Sequence, residues 1–198
     1  MRKGERTKEL ILDGALRLAS ELGLEGLSLG KLAEELELSK SGLFAHFGSK
    51  EDLQVQTLER AAARFADVVV RPALAAPAGE PRLRALFTLW LDWPRKVRQP
   101  GGCIFQAAAA ELDDRPGPAH DKLVELQRAW LETIGRVVRS GQQAGAFRGD
   151  ADPAQVAFDL LAIGLATQWE VRLLRDPKAG ERARASFERL LRDLAVRS

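Results

Sequence analysis

Three serines, Ser28, Ser39 and Ser49, constrain this chain more than any other feature, because each stands just ahead of a short stretch with helical spacing. They lie in residues 27–53, LSLGKLAEELELSKSGLFAHFGSKEDL. A serine hydroxyl at such a place accepts from the first-turn backbone N–H groups and opens a helix. After Ser28, the side chains of Leu29, Leu32, Ala33 and Leu36 fall on one face, and a break is expected near Glu37. Ser39 opens a second helix carrying Lys40, Ser41, Gly42, Leu43, Phe44, Ala45, His46 and Phe47. Gly48 and Ser49 interrupt it, and Ser49 with Asp52 three residues on resembles a capping box built with the shorter acid. Helices this short need a partner to hold them. A short helix rich in small, polar and cationic residues, braced by a second, is a shape that a DNA major groove accepts.

The stretch resembles the helix-turn-helix of the TetR/AcrR family of transcriptional regulators. The matching features are the run 33–47, Phe44 and Phe47 three apart with His46 between them, and the restart at Ser49, Lys50, Glu51, Asp52 and Leu53. The resemblance spans residues 7–58; the rest of the chain is similar to the family only in helical layout. SGLFAHFGSKEDLQ together with a later PGGC looks like one subgroup. The resemblance implies an all-α fold of about nine helices. An N-terminal three-helix module, residues 1–48, would be joined through a helix near 49–70 to a helical ligand-binding and dimerisation domain, residues 49–198. It also implies a sequence-specific DNA-binding regulator, a homodimeric repressor released from a palindromic operator by a small apolar or amphipathic ligand of unknown identity. Two positions depart from the family. Phe44 stands where Tyr is usual, so a phenol-to-phosphate hydrogen bond worth roughly 1 kcal/mol is lost. Glu37 stands where the turn usually has Gly; if that position needs a positive φ, the side chain costs about 1–2 kcal/mol.

On this reading Lys50, Ser28 and the backbone N–H groups at the helix starts suit phosphate oxygens, Ser39 is a further DNA-binding residue, and Lys40, Ser41, Gly42 and His46 approach base edges or the flanking backbone. Gly42 permits close approach, and Phe44 can touch a thymine methyl. Leu43 and Phe47 are read as the module's own core. His46 is a phosphate contact, a base contact or a packed neutral imidazole. Net charge is only +2, so its distribution matters more. Arg2, Lys3, Arg6 and Lys8 oppose Glu5 near the N-terminus, where residues 1–6 are read as a mobile basic arm. Glu9, Asp13, Glu21, Glu25, Glu34, Glu35 and Glu37 then face only Arg17 and Lys31. Either the acids turn away from DNA, or both charge sets merely solvate helix surfaces.

Tyr is absent, and Ala, Leu, Arg and Glu dominate, which favours helix over sheet. Cys103 is the single cysteine, so no intrachain disulfide forms, and a reducing cytoplasm suits the chain. It is either a small buried apolar residue or a thiol activated at a helix start. The N-terminus is charged and then amphipathic, unlike a signal peptide. No apolar run approaches the ~20 residues of a membrane span, so no membrane partner is expected. No Ser/His/Asp order, phosphate loop or nucleotide fingerprint supports an enzyme, and no cofactor is expected. His46 and His120 lack metal-ligand spacing, so no metal is expected either. The alternative to a repressor is a helical ligand-binding or adaptor protein with weak or no DNA binding.

Beyond residue 48 the pattern gives further helices. One runs over 49–70 and is broken by Pro72, Pro77, Gly79 and Pro81; another carries Leu83, Leu86, Phe87, Trp90 and Leu91. Gln99, Pro100, Gly101 and Gly102 form a turn, and long helices follow over 118–144 and 153–175. The last of these carries two apolar stripes. Val156, Leu160, Ile163, Thr167, Val171 and Leu174 form one; Phe158, Leu161, Leu165, Trp169 and Leu173 form the other. Such a helix must be covered on both sides, either wholly within the monomer or by a second copy, with Phe187 and Leu191 of the final helix helping. Aromatic residues at Trp90, Trp93, Phe105, Trp130 and Trp169 either fill a core or, as the resemblance implies, line an effector pocket.

Overall fold

The computed structural model describes residues 3–44 and 46–196, except the side chains of residues 3–5 and 40. Ten α-helices follow one another: α1 Lys3–Leu22, α2 Leu29–Glu35, α3 Lys40–Phe44, α4 Lys50–Phe65, α5 Arg71–Leu74, α6 Glu80–Lys96, α7 Ile104–Leu112, α8 Pro118–Gln143, α9 Pro153–Trp169 and α10 Ala179–Leu194. π-helical turns extend α4 through Ala66–Val70 into α5, and α9 through Glu170–Leu174. With these runs counted as continuous, the described residues hold the nine rods expected, and their one β contact is an isolated bridge between Phe147 and Ala195.

Three boundaries differ from expectation, one being the end of α3, which stops at Phe44 although residues through Phe47 were expected in it. Residues 3–6 belong to α1 rather than to a mobile arm, because the run KGERTK contains strong helix formers and no helix breaker but Gly4. Pro72 does not end the fourth rod. It sits in the first turn of α5, where a missing N–H leaves no bond unmade, directly after a π turn that has already shifted the hydrogen-bond register. The chain breaks instead after Leu74, with Ala75 as the cap.

The chain forms two compact units. Residues 1–65 and 94–127 make one, residues 66–93 and 128–198 the other, so the first unit is larger than the three-helix module of residues 1–48. The physical reason is a shared core: Ile11, Ala15 and Leu18 of α1, Leu32 and Leu43 of the short helices, and Leu53 and Leu58 of α4 are buried with Ile104, Ala108 and Leu112 of α7. Gly101 explains the PGGC motif. A Cβ there would lie 1.1 Å from the Ser20 carbonyl oxygen, so only glycine lets the α6–α7 turn rest against α1. In the second unit Phe87 stacks on Phe187 with centroids 4.1 Å apart, and Arg84 pairs with Glu80 and Glu188. Val156, Ala157, Leu160 and Gly164 form the buried face of α9. A Cβ on Gly164 would come within 2.2 Å of the Trp90 ring, so this glycine sets how closely the indole approaches.

Candidate nucleic-acid interface

Each of the three serines caps as its position requires. Ser28 Oγ accepts from the Lys31 N–H at 3.2 Å, Ser39 Oγ from the Gly42 N–H at 3.1 Å, and Ser49 Oγ from the Asp52 N–H at 3.0 Å. The reciprocal half of the last cap is displaced by one residue: Asp52 accepts from the Gly48 N–H at 3.1 Å. Between α2 and α3, Glu37 adopts φ 53, the left-handed conformation in which glycine would be unstrained. The Leu38 N–H donates to the Ala33 carbonyl at 2.9 Å and closes the turn.

This arrangement divides α3 and the turn that follows it into two faces. Leu43 and Phe47 are fully buried, and Lys8 of α1 lies over the Phe47 ring at 5.8 Å. Ser41, Gly42 and Phe44 are exposed, Phe44 by 57%. Ser39 is also exposed, His46 half-buried, and the side chain of Lys40 lies outside the described residues, as do Arg2 and the side chain of Lys3. Leu38, exposed beside the same face, was not singled out by sequence reasoning. A leucine two residues ahead of a buried-stripe helix carries no signal of its own; the signal is its exposure.

Lys50 is held by the module itself. Its Nζ donates to the Glu25 carbonyl at 2.8 Å and lies 3.3 Å from Glu25 Oε2. Gln54, buried on α4, donates to the Leu24 carbonyl and to Glu25 Oε1, each at 3.0 Å. Arg115 reaches the same carboxylate, and Glu111 of α7 accepts from the Glu25 N–H at 2.8 Å. The hydrogen bond from Gln54, with that from Lys50 and the charges of Lys50 and Arg115, holds the Glu25 carboxyl below its ordinary pKa. Sequence reasoning missed Gln54; a glutamine flanked by Leu53, Thr57 and Leu58 on a buried stripe was the available signal.

Four of the seven acids between residues 9 and 37 are paired within the first unit. Asp13 pairs with Arg60 and Arg64, Glu21 and Glu35 with Arg17, and Glu25 with Lys50 and Arg115. Repulsion between these carboxylates and a phosphate backbone is correspondingly reduced. Among the described residues no cluster of three or more His, Cys, Asp or Glu side chains could hold a metal ion, and no helix is long and apolar enough to cross a membrane. Cys103 is buried at the N-cap position of α7.

The effector candidates are divided between the two units. Trp90 and Trp130 meet within the second unit, centroids 5.3 Å apart, and Trp93 is fully buried in it. Phe105 belongs to the first unit and packs edge-on against Phe65 at 6.0 Å. Trp169 is 61% exposed and so belongs to the outer stripe of α9, which corrects its place among pocket-lining residues. That stripe is open: Phe158 and Leu165 are exposed with it and Leu161 is half-buried, so this side of α9 is left uncovered by the described residues. Phe187 and Leu191 point the other way. Both are buried, Phe187 against Phe87, because the apolar face of α10 is used to close the chain's own core; they cannot also cover a second copy.

Known proteins resemble the chain along almost its whole length. The family described as "Bacterial regulatory proteins, tetR family" matches residues 11–56, and that described as "Tetracyclin repressor-like, C-terminal domain" matches residues 79–187. The HTH-type transcriptional repressor AcnR of Corynebacterium glutamicum is 39% identical over 67 residues, covering 34% of this chain and 36% of that protein. The match thus spans about a third of AcnR. The HTH-type transcriptional repressor NicS of Pseudomonas putida is 31% identical over 156 residues, 75% of this chain and 69% of NicS. A transcriptional regulator of the TetR family from Cytophaga hutchinsonii superposes with a TM-score of 0.86 at 21% identity, covering 100% of this chain and 99% of the other.

Proposed function

Because the chain belongs to the TetR family of bacterial regulatory proteins, we propose that it is a homodimeric repressor that binds a palindromic operator and is released by a small apolar or amphipathic ligand. The observation that carries this reading is the two-faced α3. Leu43 and Phe47 anchor it, while Ser41, Gly42 and Phe44 are exposed, the first two bonded to the Ser39 cap. Hydroxyl, bare backbone and aromatic edge are groups that read base edges and thymine methyls in a major groove. Ser28, Ser39 and the N–H groups at the helix starts face the phosphates. Lys50 joins them by way of Glu25, which fixes where its ammonium lies.

A second copy of the chain covers the outer stripe of α9. Phe158, Leu165 and Trp169 leave exposed apolar surface along one side of α9, and a two-fold contact through it presents two reading helices to a palindrome. The ligand lies in the second unit against Trp90 and Trp130, two indoles tilted 58° to one another that offer an apolar molecule aromatic surface. Such a ligand acts only through different affinities for the DNA-bound and free states. The names of AcnR and NicS support repression rather than activation. As a DNA-bound regulator the protein works in the bacterial cytoplasm.

Selection from a random duplex pool tests the reading. The expected product is an inverted repeat whose half-sites change when Ser41 is replaced by Arg. Recovery of no common sequence would sink it.

A further inference from the structure

The first unit contains an open cleft of about 350 Å³ that the DNA-binding reading does not use. Asp13, Leu16 and Arg17 of α1 line one side, Arg64 of α4 another, and Lys96, Val97 and Arg98 at the end of α6 the third. Most of its charges cancel. Asp13 is clamped by Arg60, at 2.8 and 3.1 Å, and by Arg64 at 3.3 Å; Arg17 is paired with Glu21 and Glu35. Lys96 and Arg98 have no ion-pair partner among the described residues, so the cleft keeps an excess of positive charge.

Arg98 also sits where an arginine is conformationally disfavoured. It ends α6 at φ 53, with its N–H donating to the Arg95 carbonyl at 3.3 Å and the Gln99 N–H to the Pro94 carbonyl at 2.8 Å. This is the left-handed helix stop that glycine ordinarily fills. A strained side chain at a stop that glycine would serve better indicates a use for the side chain itself.

We propose that the cleft binds a small multivalent oxyanion, a phosphorylated or polycarboxylate metabolite. Guanidinium forks recognise such groups bidentately, and an ammonium adds a point charge. Leu16 and Val97 supply apolar wall, and the volume is at the small end of ligand sites. The site involves neither α3 nor the outer stripe of α9, so it holds whether or not the chain represses transcription.

Calorimetric titration of the full chain with inorganic pyrophosphate, and separately with citrate, tests it at constant ionic strength against sodium chloride. The expected result is one site per chain for at least one of the two. Tighter pyrophosphate assigns a phosphoryl ligand, tighter citrate a carboxylate ligand, and either supports the site. Arg98→Gly, which relieves the strained stop and should melt no lower than the parent, weakens that affinity about tenfold. Adding Lys96→Ala removes it. Heats no larger than those of chloride, or unchanged affinity in the folded Arg98→Gly variant, would overturn the proposal.

Discussion

Lys50 and Glu25 are joined twice, by a 2.8 Å hydrogen bond from the ammonium to the Glu25 carbonyl and by a 3.3 Å contact with its carboxylate. The start of α4 is thereby tied to the loop that precedes α2, and the carboxylate also holds Gln54 and Arg115. Removing Lys50 does two things: it deletes a cation near the proposed phosphate contacts and loosens that loop. Lys50→Ala should therefore weaken binding to every operator variant by a similar factor, measured by fluorescence anisotropy on a panel of sites.

The same cluster predicts a pH dependence. Hydrogen bonds from Gln54 and Lys50 and the charges of Lys50 and Arg115 depress the Glu25 pKa from its ordinary 4.5. A carboxyl with a lowered folded pKa contributes stability above its unfolded value and loses it as pH falls through the folded one. Glu25→Gln should accordingly melt below the parent at pH 7, and the gap in Tm should close below pH 4.5. A gap of constant size down to pH 3 would show that the cluster is not acting through charge.

Glu37 carries a left-handed backbone with φ 53 and an exposed side chain. Glu37→Gly should raise the unfolding free energy by roughly 0.5–1 kcal/mol, the strain relieved less the extra chain entropy of glycine. Urea denaturation reads this directly.

Gly164 makes the opposite case. Its missing Cβ admits the Trp90 ring, with the nearest ring atom 2.2 Å from where a Cβ would stand. Gly164→Ala should destabilise by about 1–3 kcal/mol through overpacking, despite alanine's better helix propensity. Trp90 fluorescence and thermal melting report the displaced indole and the lost stability.

These positions also mark what could be read without coordinates. The three serine caps, the buried Leu43 and Phe47, the turn at residues 99–102 and the extent of α8 follow from local spacing, and local spacing decided them. The passage of the fourth rod through Pro72 does not, because a π turn changes the register that a periodicity assumes. The two stripes of α9 were visible, yet only packing tells which is covered. Phe187 shows the limit: an amphipathic helix declares its apolar face but not whether the neighbour is its own chain or another. Lys50 shows another, since its partner lies 25 residues away in sequence.

The exposed stripe bears on assembly. Leu165 stands on α9 between Phe158 and Trp169, and about half of it is exposed. Leu165→Glu should convert a dimer to a monomer in sedimentation equilibrium while leaving the helical circular dichroism unchanged. A parent that is already monomeric at micromolar concentration would remove the interface.

The central claim is that α3 and the helix starts grip a phosphate backbone. It is tested most directly by measuring operator affinity as a function of salt. A dimer touching about 6–10 phosphates predicts a linear fall of log K with log salt, with a slope of roughly −5 to −9. A slope near zero, with equal affinity for selected and scrambled duplexes, would contradict it.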